Sequence, residues 1–188
     1  MIKVGLIGGP CTGKSTIGAE LYSICKKNDV NAALVTEFAR DEINRGWKFQ
    51  HPAEQYRLLK HQRIKEDTIP AETLVMITDS PTLLCYYYAL VCPSDPLMFP
   101  ETISDLYSEF ITDGKRYDYL FFLNRDFEYS QDGTRLQTKE EADQIAIQVK
   151  SLLEMHKIDF IELDSDYDTA MYIFTIIFES WKLKTDGS

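Results

Sequence analysis

The apolar run IKVGLI (2–7) passes directly into GGPCTGKST (8–16), where two glycines and a Lys-Ser pair stand at the spacing Gly8-x-x-x-x-Gly13-Lys14-Ser15. A strand, a glycine loop and a helix in that order leave few folds open. Gly8 and Gly13 let the backbone turn tightly and bring its N–H groups against phosphate oxygens, while a helix starting near Lys14 points its positive end at the same place. The pattern predicts a nucleoside triphosphate site in which Gly8, Gly9, Pro10, Cys11, Thr12, Gly13 and Thr16 surround the phosphates of ATP. Lys14 is expected to reach the β and γ phosphates, and the Ser15 hydroxyl to ligate Mg²⁺.

The rest of the chain agrees with that start. Short runs rich in β-branched and aromatic residues recur at 2–7, 32–36, 73–78, 118–123 and 159–163, and segments with helical spacing lie between and after them at 14–27, 53–69, 80–91, 101–113, 138–156 and 166–182. Strands alternating with helices predict an α/β fold, a five-stranded parallel sheet with helices on both faces, and the glycine loop after its first strand makes it one of the P-loop NTPase type. With 188 residues the expectation is one domain over 1–188, a lid loop at about 124–135 and a frayed tail at about 184–188. No run nears the roughly 18 apolar residues of a membrane span, and no basic leader precedes the first strand, so a soluble, cytoplasmic protein without a membrane partner is expected.

Charge and cysteines narrow the function classes. The net charge of −10 argues against broad nucleic-acid or anionic-lipid binding, although residues 1–70 carry 11 Lys and Arg against 8 Asp and Glu, and the excess of acids falls in 71–188. Cys11, Cys25, Cys85 and Cys92 form no C-x-x-C pair, and the three histidines complete no zinc signature. Tyr86, Tyr87 and Tyr88 stand consecutively on an expected helix, so they cannot all line one pocket.

A phosphate loop alone admits a kinase, a GTPase switch or a motor. The chain shows no N-K-x-D base-reading motif, and VMITDSP (75–81) ends its apolar run in one acid, not two. A kinase needs an acid near the acceptor hydroxyl, cations around the transferred group and a lid against water. Glu37 and Asp79 each stand just past the carboxyl end of an expected strand, where open parallel sheets bind ligands. Asp79 can also cap a helix before Pro81, and Glu37 can open one at FARDEI (38–43). Arg40, three residues after Glu37, shares its side of that helix and can pair with it or bind the acceptor. The lid candidate NRDFEYSQDGTR (124–135) carries Arg125, Arg135 and the turn pair Asp132-Gly133.

Taken in order, GGPCTGKST, TEFARDEI (36–43), ITDSPTLLCYYY (77–88) and YDYLFFLNRDFEYSQDGTR (117–135) resemble the ribosylnicotinamide-kinase domain of the bacterial NadR proteins and their AAA-like P-loop relatives, several of them phage-encoded. The resemblance spans roughly residues 2–165. It implies a nucleoside-kinase fold with the loop glycines and Lys14 on ATP, Ser15 and Asp79 around Mg²⁺, Glu37 and Arg40 on the acceptor side, and DGTR closing the site. Pro81 stands where the family commonly has a second Asp, Phe127-Glu128 replaces a Pro-Trp pair, and the sequence shows no counterpart of the DNA-binding and adenylyltransferase domains of full-length NadR. The expected function is an ATP- and Mg²⁺-dependent kinase acting on a hydroxyl of a small nucleoside-like or nucleotide-like acceptor, with Glu37 or Asp79 handling the acceptor proton. The alternatives are a phage-type kinase acting on a hydroxymethylated base in DNA, and a nucleotide-binding regulatory protein with little turnover. Oligomeric state is not legible in the sequence.

Overall fold

The computed structural model describes residues 1–127 and 138–185. Five parallel strands, β1 (Ile2–Ile7), β2 (Ala32–Val35), β3 (Val75–Thr78), β4 (Tyr119–Arg125) and β5 (Ile161–Ser165), form one sheet in the order β2-β3-β1-β4-β5. The helices are α1 (Lys14–Lys27), α2 (Phe38–Asn44), α3 (Pro52–Asp67), α4 (Leu84–Leu90), α5 (Pro100–Asp113), α6 (Lys139–Met155) and α7 (Thr169–Thr185), with a short 3₁₀ turn at Pro96–Met98. Among the described residues, no helix is long and apolar enough to cross a membrane.

Alternating side chains explain why both faces are covered. On the central strands Val4, Leu6, Ile77, Phe121 and Leu123 face one way, against Ile17 and Leu21 of α1 and Ile173 and Ile177 of α7. Their neighbours Ile7, Met76, Leu120 and Phe122 face the other way, against Tyr87 of α4, Phe110 of α5 and Val149 and Leu153 of α6. This period of two, apolar on both phases, is what a sheet buried on both faces demands. Helix α3 lies further out and meets α4 and α5 through Leu59, Ala89 and Leu106.

The strand order sets the site. The chain crosses from β1 over β3 to β2, returns to β3, then crosses β1 to reach β4, so connections leave the β1 end in opposite directions. Crevices at such switch points bind ligands in open α/β sheets. The register aligns Val35 with Thr78 and Thr78 with Gly5, so residues just past β2 and β3 emerge beside the loop that follows β1.

Several local boundaries differ from expectation. The possible helix start at FARDEI is realised as the short helix α2, and β3 begins at Val75 and not at residue 73. Helix α4 begins at Leu84 and not at residue 80, because tertiary bonds hold residues 80–83: Tyr117 Oη accepts from Thr82 N at 3.0 Å, and Thr82 Oγ1 donates to buried Asp113 at 2.5 Å. Asp113 in turn receives both bonds of Arg63 Nη2, at 2.7 and 2.8 Å, so the turn after β3 is tied to α3 and α5. Strand β5 starts two residues later than expected, with Phe160 turned against Phe122 at 5.7 Å between ring centres. Helix α7 continues to Thr185.

Candidate active site

The loop after β1 is built by backbone. A Cβ on Gly8 would lie 2.6 Å from the Leu123 carbonyl oxygen of β4, so only glycine lets the two chains approach this closely. Gly13 takes a left-handed φ of 78°, and Cys11 a φ of 60° without glycine's freedom, which marks a strained loop held by its surroundings. Those surroundings include Ser165 at the end of β5, whose buried hydroxyl donates to the Thr12 carbonyl at 2.6 Å. Helix α1 then starts at Lys14 with no side-chain cap and no acid in its first turn. Its first N–H groups and its dipole are left for an anion.

Lys14 curls back over this loop. Its Nζ donates to the Gly9 carbonyl at 2.6 Å and the Gly8 carbonyl at 3.2 Å, and lies 3.5 Å from Thr12 Oγ1. Burial pushes its pKa down, and the nearby carboxylates of Glu37 and Asp79 oppose that shift. Carbonyl oxygens are weak partners for a desolvated ammonium, so a triphosphate is the stronger ligand for it.

Glu37 and Asp79 enter the same cleft, a space of about 930 Å³ that also takes in Pro10, Cys11, Ser15 and Thr16. Glu37 stands at the N-cap position of α2 but makes no capping bond, and its carboxylate instead lies 3.4 Å from Arg40 Nη2. Burial raises its pKa first, Lys14 and Arg40 pull it back, and Asp79 adds to the rise. Asp79 is 5% exposed, and its Oδ1 is buried without a hydrogen-bond partner among the described residues. It caps no helix, since α4 begins five residues later. An orphaned carboxylate oxygen in a cleft shared with the Ser15 hydroxyl is a donor set that fits a hard divalent cation such as Mg²⁺. Among the described residues, no three or more His, Cys, Asp or Glu side chains could hold a metal by themselves.

The cleft continues away from the loop into a second chamber between α2, α3, α4 and the segment 46–50. Its walls include the aromatic side chains of Phe38, Trp47, Phe49 and Tyr88 and the amides of Gln55 and Gln62, with Lys48 of the same segment also at the lining. Gln55 is 6% exposed, lines the cleft, and its side chain makes no hydrogen bond among the described residues. Of the tyrosine triplet, Tyr88 lines the cleft, Tyr87 donates to Gln148 Oε1 at 2.7 Å, and Tyr86 packs against Tyr107 and Phe110. Burial and then Glu37 raise the Tyr88 pKa. Trp47 is anchored from outside, its Nε1 donating to Glu54 at 3.2 Å and its ring lying 5.1 Å from the Arg57 guanidinium.

Thus Lys14, Ser15, Glu37, Arg40 and Asp79 converge on one cleft. Arg125 ends β4 and pairs with Asp143 of α6, outside the residues that line the cleft. Phe127 lies against Gly13 at the start of the expected lid. Residues 128–135, with Arg135, fall outside the described residues. Gln55, Gln62, Trp47, Phe49 and Ser165 were not singled out in the sequence. One signal was present, since Gln55 and Gln62 are seven residues apart on a face of α3 that also buries Leu58 and Leu59.

The parallel sheet order, the loop after its central strand and the acid-lined cleft at its carboxyl edge define a P-loop α/β protein of nucleoside-kinase fold. A family model described as an AAA domain matches residues 3–169, and the chain belongs to that family. No curated protein matches it. Among solved structures, NadR protein in complex with NR aligns with a TM-score of 0.68 at 21% identity, over 89% of this chain and 46% of that one, so this chain spans less than half of NadR's length. Deoxyadenosine kinase from M. mycoides with bound dATP aligns with a TM-score of 0.57 at 14% identity, over 95% of this chain and all of that one. The same enzyme with bound dCTP gives 0.56 at 15% identity and the same coverage. At these identities the likeness is one of fold.

Proposed function

We propose that the protein is an ATP- and Mg²⁺-dependent kinase that transfers the γ-phosphoryl group to a hydroxyl of a small nucleoside-like acceptor. The observation that carries this reading is the continuity of the cleft: one space is lined by the glycine loop with Lys14, by the two acids Glu37 and Asp79, and by the aromatic side chains of Phe38, Trp47, Phe49 and Tyr88. The structural likeness to NadR with NR and to a deoxyadenosine kinase supports it. A cytoplasmic setting suits a reaction that consumes ATP.

In this reading the loop N–H groups and the start of α1 hold the β and γ phosphates, and Lys14 turns from the Gly8 and Gly9 carbonyls onto them. Asp79 and Ser15 are the residues that would hold Mg²⁺, Asp79 through its unpartnered oxygen. The ion, when bound, neutralises charge on the phosphates. Glu37 then accepts the acceptor's hydroxyl proton, a task suited to a carboxylate whose burial raises its pKa. Arg40 keeps Glu37 oriented toward the acceptor side. In the chamber, a planar base or base-like ring packs among Phe38, Trp47, Phe49 and Tyr88, and the Gln55 amide supplies a donor and an acceptor to its edge. Arg125 and Arg135 frame the expected lid, and the cation that reaches the transferring group is assigned to Arg135, because Arg125 is engaged by Asp143.

The test is ADP release with and without a panel of nicotinamide riboside, deoxynucleosides, their monophosphates and hydroxymethylated DNA. Release that depends on a free nucleoside supports the proposal. Release that depends on DNA moves the activity to a modified base, and tight ATP binding with no acceptor-dependent release makes the protein a nucleotide-binding regulator.

A further inference from the structure

Glu37 belongs to an element with little of its own to hold it. Helix α2 has seven residues, none of them buried. A helix this short is not stable by itself. What fixes the backbone on both sides of Glu37 is helix α3. On one side Lys65 Nζ donates to the Thr36 carbonyl at 2.7 Å and to Thr36 Oγ1 at 3.3 Å. On the other, Phe38 N donates to Gln62 Oε1 at 3.0 Å, and the Phe38 ring stacks on His61 with 4.7 Å between centres.

Gln62 differs from its neighbours on α3 in reaching a second strand end. It is 3% exposed, and its Nε2 donates to Thr78 Oγ1 at 3.2 Å. Thr78 closes β3 immediately before Asp79, and the same hydroxyl accepts from Ser80 N at 3.3 Å. The Phe38 N–H needs an acceptor, which fixes the orientation of the amide with Oε1 toward α2 and Nε2 toward β3. One buried carboxamide thereby joins the residue after Glu37 to the residue before Asp79. Such a buried polar bridge is costly to leave half satisfied, so it holds its two ends at one separation.

We infer that Gln62 is a positioning residue, which sets the place of Glu37 relative to Asp79 by holding Phe38 N–H and Thr78 Oγ1 on a single buried side chain. The kinetic consequence rests on the kinase reading above, whereas the clamp itself rests on geometry alone. Gln62 touches neither phosphate nor transferred proton. Its effect comes through the alignment of the base, where a displacement of about 1 Å costs on the order of a hundredfold in rate.

Hydrogen exchange and kinetics of Gln62→Met, Gln62→Glu and Thr78→Val decide the matter. Methionine keeps the length and removes both bonds. Exchange across residues 36–44 should quicken about tenfold or more, and kcat should fall roughly ten- to a hundredfold with KM for ATP within about twofold. Glutamate keeps an acceptor for Phe38 N–H and should restore protection of 36–44 relative to methionine. Thr78→Val cuts the β3 end of the clamp, together with the Ser80 N bond to the same hydroxyl, and should quicken exchange at 36–44 and lower kcat in the same direction as methionine but by less. Should Gln62→Met fail to fold, Thr78→Val reads the same link. Unchanged exchange at 36–44 in folded Gln62→Met, or in Thr78→Val alone should it be the folded one, overturns the clamp. Loosened exchange with an unchanged kcat overturns its bearing on Glu37. If no acceptor is ever phosphorylated, the kinase reading fails, and the exchange measurements still decide whether the clamp exists.

Discussion

The two ends of the cleft are held by different means. At the loop end the frame is backbone, namely the loop N–H groups and the uncapped start of α1 with the Lys14 side chain folded over them, and a Cβ on Gly8 would lie 2.6 Å from the Leu123 carbonyl oxygen. The loop sits on the central strand of a sheet buried on both faces. At the aromatic end, the proposed acceptor end, the walls are side chains from α2, α3, α4 and the segment 46–50, held by polar bonds of exposed groups such as Trp47 with Glu54 and of buried ones such as Gln62 with Thr78. Backbone geometry suits a ligand part that never changes, the triphosphate. A side-chain chamber can be altered residue by residue, which suits the part of the reaction that varies among kinases of one fold.

Substitutions at the two ends should separate these roles. The largest effect is expected for Lys14→Ala, a loss in kcat of about a thousandfold or more in a protein that stays folded, checked by steady-state kinetics beside circular dichroism. Activity close to wild type would remove the phosphate end from the chemistry.

Glu37→Gln comes next, with a loss in turnover of about a hundred- to ten-thousandfold. Stability should move the other way. Burial raises the Glu37 pKa in the folded protein, so folding favours its protonated form, and that contribution is full below the unfolded pKa and lost as pH rises through the folded one. At neutral pH the glutamine variant should therefore melt no lower than wild type, and its advantage should fade as pH falls through the carboxylate range. The same raised pKa places the acid limb of the kcat profile above the ordinary glutamate value, with activity lost on its low-pH side.

Asp79→Asn should raise the Mg²⁺ concentration for half-maximal rate by roughly tenfold, and excess Mg²⁺ should restore part of the rate. In Glu37→Gln the Mg²⁺ dependence should stay where it is. A reversed pattern would exchange the two roles. The smallest and most selective effect is expected for Gln55→Leu, about a tenfold rise in KM for the acceptor with KM for ATP unchanged, since one edge contact to a buried ring is lost. A matching rise in KM for ATP would mean that the two chambers are not independent.

The same contrast governs what could be read from the sequence. The loop is legible because its signature is local: nine consecutive residues carry it, and the glycines stand where the backbone must turn or approach, although Ser165 and Leu123, which help to hold it, leave no trace there. The five strands were legible because a doubly covered sheet needs apolar runs. Helix α2 shows in the sequence only as a possible helix start, since with no buried residue it leaves little periodic trace. The start of α4 is not legible locally, because Thr82 answers to Tyr117 and Asp113, more than thirty residues away. Glu37 and Asp79 could be nominated because strand ends are visible as the end of apolar runs. Gln55 and Gln62 could not, because a glutamine on a helix reads as surface unless its face is known to be inward. The predicted lid beyond residue 127 lies outside the described residues, and Arg135 keeps its role as a proposal.

The most direct test is to incubate the protein with ATP labelled in the γ-phosphoryl group and each member of the nucleoside panel, and to follow the label. Transfer to a hydroxyl of a free nucleoside, lost in Lys14→Ala and in Glu37→Gln, is the expected result. Label that appears only as inorganic phosphate, at a rate indifferent to every acceptor and to Glu37, would contradict a kinase whose two-chambered cleft joins a triphosphate to a nucleoside.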